Sequence, residues 1–255
     1  MHTIKKIIDC SVWTGEWPFH HLRYRETQPL RQKLQSLHVS RAFVAPLNAI
    51  LEEDPKRADL ELLKNIDDPF FSPVPVIDLS FANWRETLDQ CLHDARVKTI
   101  KLIPNYHNYG LTEDILAPLI AALSRKIIIG IQVRVVDTRG QHPLMLVHDV
   151  NVQNMAKVLS FFPEQKFILH NLFFGEVPEF HHFLPNVYFD LASLETQDIL
   201  KKMHGQYTLD RFLFSSHAPF YYPEGNINKL VYADLEPGLM EKVAYKNAAM
   251  LFGET

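Results

Sequence analysis

Seven side chains that could bind a substrate or move a proton stand at, or close to, the ends of short apolar segments: Ser11, Trp13, Lys101, Gln132, Arg134, His170 and His217. Imidazole titrates near neutral pH, which suits it to proton transfer. Lysine and arginine supply positive charge, and a guanidinium can hold a carboxylate through two parallel hydrogen bonds. Side chains of these types predict a site for a small anionic molecule, provided that the fold brings them together.

The elements that must position these side chains alternate along the chain. Apolar, β-branched runs predict eight strands, at residues 6–12, 41–45, 72–79, 99–103, 127–133, 166–170, 187–191 and 211–214. Amphipathic stretches predict helices at residues 29–37, 55–66, 83–93, 112–124, 152–161, 175–183, 196–203 and 237–251. The alternation predicts an α/β protein, a (β/α)₈ TIM barrel in which residues 1–255 form a single domain. An open doubly wound sheet is the alternative.

Two connections between predicted elements are unusually long. One runs from Trp13 to about Gln28 and the other from Val135 to about Asn151. Long connections in a compact domain are commonly functional, and both of these follow the carboxyl end of a predicted strand. Since barrel active sites lie at that end, we expect the candidate residues to surround one cavity there.

The overall composition limits the partners. A formal net charge of −4 gives no reason to expect nucleic acid or an anionic membrane as a partner. The two cysteines, Cys10 and Cys91, lie far apart and are expected to be reduced thiols of a cytoplasmic protein. No apolar run approaches the ~20 residues that span a bilayer, and the first residues do not have the pattern of a signal peptide. The oligomeric state is left open.

The segment Arg211-Phe-Leu-Phe-Ser-Ser-His217-Ala-Pro-Phe220 resembles the last barrel strand of the amidohydrolase-related family, within the amidohydrolase superfamily. The resemblance covers most of the chain and is strongest from Val187 to Gly253. It implies the (β/α)₈ barrel. One fold hosts many activities, so the resemblance transfers the fold better than the reaction.

The family resemblance also implies a divalent metal, but this chain differs at the positions of the usual ligands. Ser11 and Trp13 stand where the family has two histidines one residue apart, and His217 stands where it has an aspartate. A serine hydroxyl is a poor substitute for imidazole, and indole offers no lone pair to a metal. We therefore expect no tightly bound metal and no other cofactor. An unorthodox ligand set of His142, His170 and His217 is the alternative.

The histidines each have a catalytic and a structural interpretation. His217 would act as general base toward water, and His170 would polarise a scissile carbonyl or relay a proton. His170 could instead be a hydrogen-bonded core residue. Asp190 could orient either histidine or cap the next turn.

The charged candidates are open to the same two interpretations. Arg134 and Lys101 would bind a carboxylate or stabilise an oxyanion. Alternatively, each forms a structural ion pair, with Asp137 or Glu195 as the partner of Arg134.

Three hypotheses about function follow from these residues. The leading one is a hydrolase of a small anionic ester, lactone or amide, in which Gln132 and Ser11 orient water or substrate and Trp13 helps to bind the substrate. The second is a non-oxidative carboxy-lyase acting on a small carboxylic acid. The third is a catalytically silent barrel that binds a ligand or partner.

Overall fold

The computed structural model describes residues 4–52 and 54–254, and they fold as a (β/α)₈ barrel. The eight parallel strands are β1 (Ile7–Thr14), β2 (Val39–Pro46), β3 (Phe71–Pro73), β4 (Thr99–Leu102), β5 (Ile128–Gln132), β6 (Phe167–His170), β7 (Val187–Asp190) and β8 (Phe212–Leu213). The helices are α1 (Thr27–Gln35), α2 (Pro55–Asn65), α3 (Trp84–Leu92), α4 (Glu113–Ala122), α5 (Val152–Leu159), α6 (Pro178–His181), α7 (Ile199–Gln206), α8 (Pro223–Val231), α9 (Pro237–Glu241) and α10 (Asn247–Phe252).

Backbone hydrogen bonds close the strands into a barrel. The strands form two regular sheets, β1-β2-β3 and β4-β5-β6-β7-β8. The first junction lies beyond β3, where the amide of Lys101 donates to Pro75 (2.8 Å) and its carbonyl accepts from Ile77 (2.9 Å). At the second junction, the amide of Cys10 donates to the carbonyl of Phe214 over 2.9 Å. Closure places the carboxyl ends of all eight strands at one end of the barrel.

Side chains alternate between the two faces of each strand and build two apolar layers. The outward-facing residues of β5, Ile129 and Ile131, pack with the surrounding helices. The inward-facing apolar residues fill the amino-terminal part of the barrel, and they include Ile8, Phe43, Ile128, Ile168 and Leu213. Phe252 of α10 stacks on Phe43 with ring centroids 3.9 Å apart and covers this layer. The polar candidates therefore stand above a packed apolar floor.

The prediction of eight strands and a (β/α)₈ barrel is confirmed, but the helices differ from the predicted ones in three places. The helix predicted at residues 175–183 is a 3₁₀ turn at Phe174–Glu176 followed by the four-residue α6. α8 was not predicted, because its Pro, Gly and Asn residues are typical of turns; Pro223 in fact occupies the first turn, where proline is tolerated. The single helix predicted at residues 237–251 is α9 and α10, joined by a π-helical turn at Lys242–Lys246. No helix in the described ranges is both long and apolar enough to cross a membrane.

Gly130 leaves space in the barrel interior that a neighbouring side chain uses. A Cβ atom at this position would lie 2.9 Å from Nε2 of His170 and 3.2 Å from the carbonyl oxygen of Ile100. Both distances are shorter than ordinary van der Waals contacts, so an added methyl group must displace His170 or strain the backbone.

We expect Gly130→Ala to lower the free energy of unfolding by about 1–3 kcal/mol, the usual cost of overpacking a filled core. Gly225→Ala is the matched control, because Gly225 lies in helix α8 and a Cβ atom at this position would have no other atom within 4 Å. The control should leave stability unchanged or raise it by up to about 1 kcal/mol. Urea unfolding of both variants measures the difference; equal stabilities would show that the contact with His170 is not restrictive.

Candidate active site

Lys101 of β4 points into the centre of the barrel and is 1% exposed. Its Nζ donates a hydrogen bond of 2.8 Å to Oγ of Ser11 and lies 4.1 Å from the centroid of the Trp13 ring. Burial lowers the pKa of Lys101 to about 7, although Asp9 and Asp190 attract its charge from a longer range. The protonated and neutral amine are therefore both populated near neutral pH.

His170 of β6 is held by a carboxylate. Its Nδ1 donates to Oδ2 of Asp190 over 2.8 Å, and Oδ1 of Asp190 accepts from the amides of Asn171 (3.0 Å) and Ala192 (3.2 Å). Asp190 thus both orients His170 and caps the turn after β7. Burial, and secondarily the charge of Lys101, lower the pKa of His170 to about 4, so the imidazole is neutral. Its Nε2 carries a lone pair with no hydrogen-bond partner among the described residues.

His217 connects β1 to the segment after β5 through its two ring nitrogens. Its Nδ1 accepts from the indole N–H of Trp13 (3.1 Å), and its Nε2 lies 2.8 Å from the carbonyl oxygen of Val135. Indole only donates and a carbonyl only accepts, so the proton of the neutral imidazole is on Nε2. Burial lowers the pKa of His217 to about 3. Its role as general base stays a prediction, but in this geometry the lone pair is already occupied by Trp13.

A chain of polar side chains follows Gln132 along the rim. Its Nε2 donates to the carbonyl of Arg134 (2.7 Å) and to Oδ1 of Asn171 (3.1 Å). Asn171 in turn donates to Oγ of Ser193 (3.1 Å), which lies 3.2 Å from the hydroxyl of Tyr221. Of the side chains in this rim chain, only Gln132 was predicted from the sequence to belong to the site. Asn171 has a positive φ of 62° immediately after a strand, a conformation that residue type alone does not predict.

Arg134 is engaged in ion pairs at the rim. Its Nε donates to Asp149 over 2.9 Å, and its two terminal nitrogens donate to Glu176 over 2.6 and 2.9 Å. An ion pair was one of the two predicted interpretations, but the partners named for it, Asp137 and Glu195, were wrong. Binding of substrate by Arg134 stays a prediction, and it would require the guanidinium to exchange a carboxylate that it already holds.

The two long connections wall a cavity of about 230 Å³ at the mouth of the barrel. Its walls include Trp17 and Phe19 from the first connection and His142 and Met145 from the second, with Tyr106 between them. Phe19 stacks on His142 with ring centroids 5.3 Å apart. This mouth cavity is largely aromatic and suits a small planar or apolar molecule with a few polar groups.

An aromatic layer, formed by Trp13, Trp17, His217 and Phe220, separates the mouth cavity from Lys101. Phe220 packs edge-on against Trp17 at a centroid distance of 5.1 Å and stacks on His217 at 5.1 Å. Trp13 is fully buried beneath Phe220 and covers Nζ of Lys101. In the conformation described, a molecule in the mouth cavity reaches Lys101 only if this layer opens.

Five of the seven predicted site residues gather in the barrel centre: Ser11, Trp13, Lys101, His170 and His217. Gln132 borders this group through the rim chain, and Arg134 is turned toward its ion pairs. The centre itself is filled by side chains, and the mouth cavity lies above it. The expectation of one shared cavity is therefore replaced by a filled centre beneath a separate cavity.

Asp9 is a further buried acidic side chain, and it was not among the site residues predicted from the sequence. Its Oδ1 accepts from the amides of Ser216 (3.0 Å) and Ser11 (3.3 Å), and burial raises its pKa to about 7. A carboxylate inside the apolar β1 run was the available signal, since such a group needs a partner or a proton.

The residues in the centre do not fit a divalent metal. Ser11 already accepts a hydrogen bond from Lys101, Trp13 has no lone pair to offer, and the lone pair of His217 is occupied. Among residues 4–52 and 54–254, no group of three His, Cys, Asp or Glu side chains is placed to hold a metal ion. The alternative set through His142 is divided by the aromatic layer, because His142 lies on the side of the mouth cavity.

Solved structures share this barrel over nearly its full length. An uncharacterised TIM-barrel protein from Bordetella bronchiseptica superposes with a TM-score of 0.71 at 17% identity, covering 98% of this chain and 99% of its own. The 5-carboxyvanillate decarboxylase of Sphingomonas paucimobilis gives 0.74 at 12% identity (99% and 100%). A dihydroxybenzoic acid decarboxylase of Polaromonas, solved with manganese and the inhibitor 2-nitroresorcinol, gives 0.66 at 14% identity (98% and 97%). Likeness at these identities shows a common fold.

Sequence comparison identifies the family independently of the superpositions. No curated protein matches the chain significantly. The sequence model of the amidohydrolase family, Amidohydro_2, matches residues 22–253, which include strands β2 to β8 and the closing helices. On the strength of that match, this chain belongs to the amidohydrolase family.

Proposed function

We propose that this protein is a non-oxidative carboxy-lyase that releases CO₂ from a small carboxylic acid without a bound metal. The observation that supports the proposal is Lys101, a buried amine hydrogen-bonded to a hydroxyl and not to a carboxylate. A buried charge without a paired counter-ion is costly, and a substrate carboxylate would supply the counter-ion. In this proposal the partner is a small anionic molecule, and residues 1–255 act as one domain.

The reaction suits the groups that surround Lys101. When CO₂ leaves, the electron pair of the broken C–C bond stays on carbon, and a proton then takes the place of the carboxylate. Positive charge beside that carbon lowers the barrier, and Lys101 supplies it. His170, with Asp190 on Nδ1 and a free lone pair on Nε2, can pass the proton. Two of the structural relatives named above are decarboxylases, which favours this reaction over the others that the fold hosts.

Hydrolysis was the leading hypothesis from the sequence, and it requires His217 to act as the general base that activates water. The lone pair of His217 accepts from Trp13, and its N–H donates to Val135, so both ring nitrogens are used. Decarboxylation needs no activated water. In the carboxy-lyase proposal His217 positions Trp13, and the aromatic layer keeps bulk water away from the charged centre.

A catalytically silent barrel is the second candidate, and the filled centre favours it. Ser11, Trp13 and His217 are completely buried, and the mouth cavity does not extend to Lys101. A silent barrel would bind its ligand in the mouth cavity without turnover.

We expect the wild-type protein to release CO₂ from at least one member of a panel of 5-carboxyvanillate, 2,6-dihydroxybenzoate and small 3-oxo acids. Lys101→Met should lower the rate about 100-fold or more, because it removes the buried charge while keeping a similar volume. Lys157→Met, an exposed change on α5, is the matched control and should keep the wild-type rate. A coupled CO₂ assay measures all three; ligand binding without CO₂ release from any acid would favour the silent barrel.

The bond between Trp13 and His217 gives a separate stability test. Trp13→Phe removes the indole donor and leaves Nδ1 of His217 buried without a partner, which should cost about 1–3 kcal/mol beyond the lost contact area. Trp17→Phe is the control, because Trp17 is also buried in the aromatic layer but its indole N–H makes no hydrogen bond to the described residues. Chemical denaturation should show the larger loss for Trp13→Phe. Equal losses would mean that the bond contributes nothing to stability.

A further inference from the structure

We propose that Lys101 is a nucleophile that forms an imine with a 3-oxo carboxylic acid, and that CO₂ leaves from this covalent intermediate. The inference rests on the proposed carboxy-lyase function and adds the substrate class and the means of catalysis to it. A metal-free decarboxylase needs an electron sink, and a protonated imine is a strong one that the chain itself can make.

The surroundings of Nζ favour a reactive amine over a structural ion pair. Its hydrogen-bond partner is the hydroxyl of Ser11, and the other neighbour is the face of the Trp13 ring. Neither group carries a negative charge. The Trp13 face favours the ammonium, but the neutral amine is penalised less here than it would be beside a carboxylate. When the amine is neutral, the Ser11 hydroxyl can reverse the bond and donate to Nζ or to a carbinolamine oxygen.

Gly130 brings a proton carrier to the same place. Gly130 is the register partner of Lys101 in the neighbouring strand, so its missing side chain would have pointed beside that of Lys101. Nε2 of His170 occupies this space, 2.9 Å from where the Cβ atom would be. The neutral imidazole, held by Asp190, therefore lies beside the Lys101 side chain in the barrel interior, near enough for the charge of Lys101 to lower the pKa of His170.

The sequence of steps balances without any further reactant. Neutral Nζ attacks the 3-oxo carbon, and the carbinolamine loses water to give a protonated imine. The C–C bond to the carboxylate breaks and CO₂ leaves; the electron pair of that bond forms a C=C bond, and the π pair of the C=N⁺ bond moves onto nitrogen, which gives a neutral enamine. A proton adds to the carbon, and water then hydrolyses the imine to release the ketone and restore Lys101. The net change is a 3-oxo acid anion plus a proton to a ketone plus CO₂.

The aromatic layer has a defined part in these steps. With Trp13 over Nζ and Phe220 above Trp13, the centre is shielded from bulk water, which would hydrolyse the imine before CO₂ leaves. A small 3-oxo acid enters when the layer opens from the mouth cavity.

Reductive trapping tests the imine directly. Wild-type protein is incubated with acetoacetate and cyanoborohydride, and the modified lysines are mapped by peptide mass spectrometry. We expect Lys101 to be modified in the wild type and in Lys157→Met, while Lys101→Met shows only slow background labelling of surface lysines. Trp13→Phe is included because it loosens the cover over Nζ, and it should be labelled at Lys101 at least as fast as the wild type.

The outcomes separate this inference from the proposed function. An unmodified Lys101 in both the wild type and Trp13→Phe overturns the imine, and CO₂ release in the same samples would leave the carboxy-lyase proposal standing. Modification of Lys101 without CO₂ release would show a nucleophilic Lys101 but would overturn both the carboxy-lyase proposal and the loss of CO₂ from the imine.

The pH dependence gives a second test with a definite sign. Burial lowers the pKa of Lys101 to about 7, so the neutral amine becomes the main form as pH rises through that value. The groups that face Lys101 are Asp9, Asp190, His170 and His217; both histidines are neutral over this range and attract no proton from Lys101. Asp9, whose pKa burial raises to about 7, ionises within the same range, and its negative charge moves the titration of Lys101 to higher pH without reversing its direction. Trapping and CO₂ release should therefore increase between about pH 6 and pH 8. A rate that falls over this range would mean that the ammonium acts only as a charge.

Discussion

Lys101 places a positive charge where water does not reach, and the neighbouring strands are arranged to tolerate it. Removing an ammonium group from water costs several kcal/mol even after the protein relaxes. The hydroxyl of Ser11 and the face of Trp13 offset part of that cost, and the lowered pKa shows that the compensation is incomplete. Because the desolvation cost of the Lys101 ammonium is only partly offset in the ligand-free protein, this ammonium interacts more strongly with an incoming anion. The closed barrel allows Ser11 and Trp13 of β1 to contact Lys101 of β4. These two strands are separated by β2 and β3 in the strand order, but their side chains meet in the barrel interior.

The rim of the barrel is stabilised separately from its centre. Arg134 ties the connection after β5 to the turn after β6 through Asp149 and Glu176. The chain from Gln132 to Tyr221 continues this bracing across β6 and β7 to the segment after β8. Asn171 has a left-handed backbone, with φ of 62°, which asparagine adopts more readily than other non-glycine residues, and hydrogen bonds of its amide and side chain hold it there. The rim therefore fixes the strand ends on which the central side chains depend.

The sequence predicted the barrel because eight apolar runs alternate with amphipathic ones, and strand number is a property of local pattern. It also predicted that six side chains lie around one cavity, because side chains at the carboxyl ends of barrel strands share one end of the fold: Ser11, Lys101, Gln132, Arg134, His170 and His217. Four of them lie with Trp13 in a filled centre, Gln132 borders that centre, and Arg134 is turned toward its ion pairs. The sequence did not predict how they interact. The Trp13–His217 bond joins residues far apart in the chain, and its donor and acceptor atoms depend on side-chain orientation.

Two other features had no usable local signal. Gly130 matters because it has no side chain, and His170 from the neighbouring strand β6 occupies the space that a side chain would fill. The partners of Arg134 come from connections whose course depends on the assembled barrel, so a search for nearby carboxylates in the chain selected the wrong ones. Long-range geometry, not residue type, decides both cases.

The hydrogen bond between Trp13 and His217 also couples the substitutions that these two positions can accept. Replacing Trp13 alone leaves an imidazole nitrogen without its donor, and replacing His217 alone leaves a buried indole N–H and the carbonyl of Val135 unpaired. Each single step passes through a destabilised protein, while a joint exchange for two apolar side chains need not. Evolutionary change at these two positions is therefore expected to occur as paired substitutions. Proteins that descend from this chain should retain both Trp13 and His217 or have lost both.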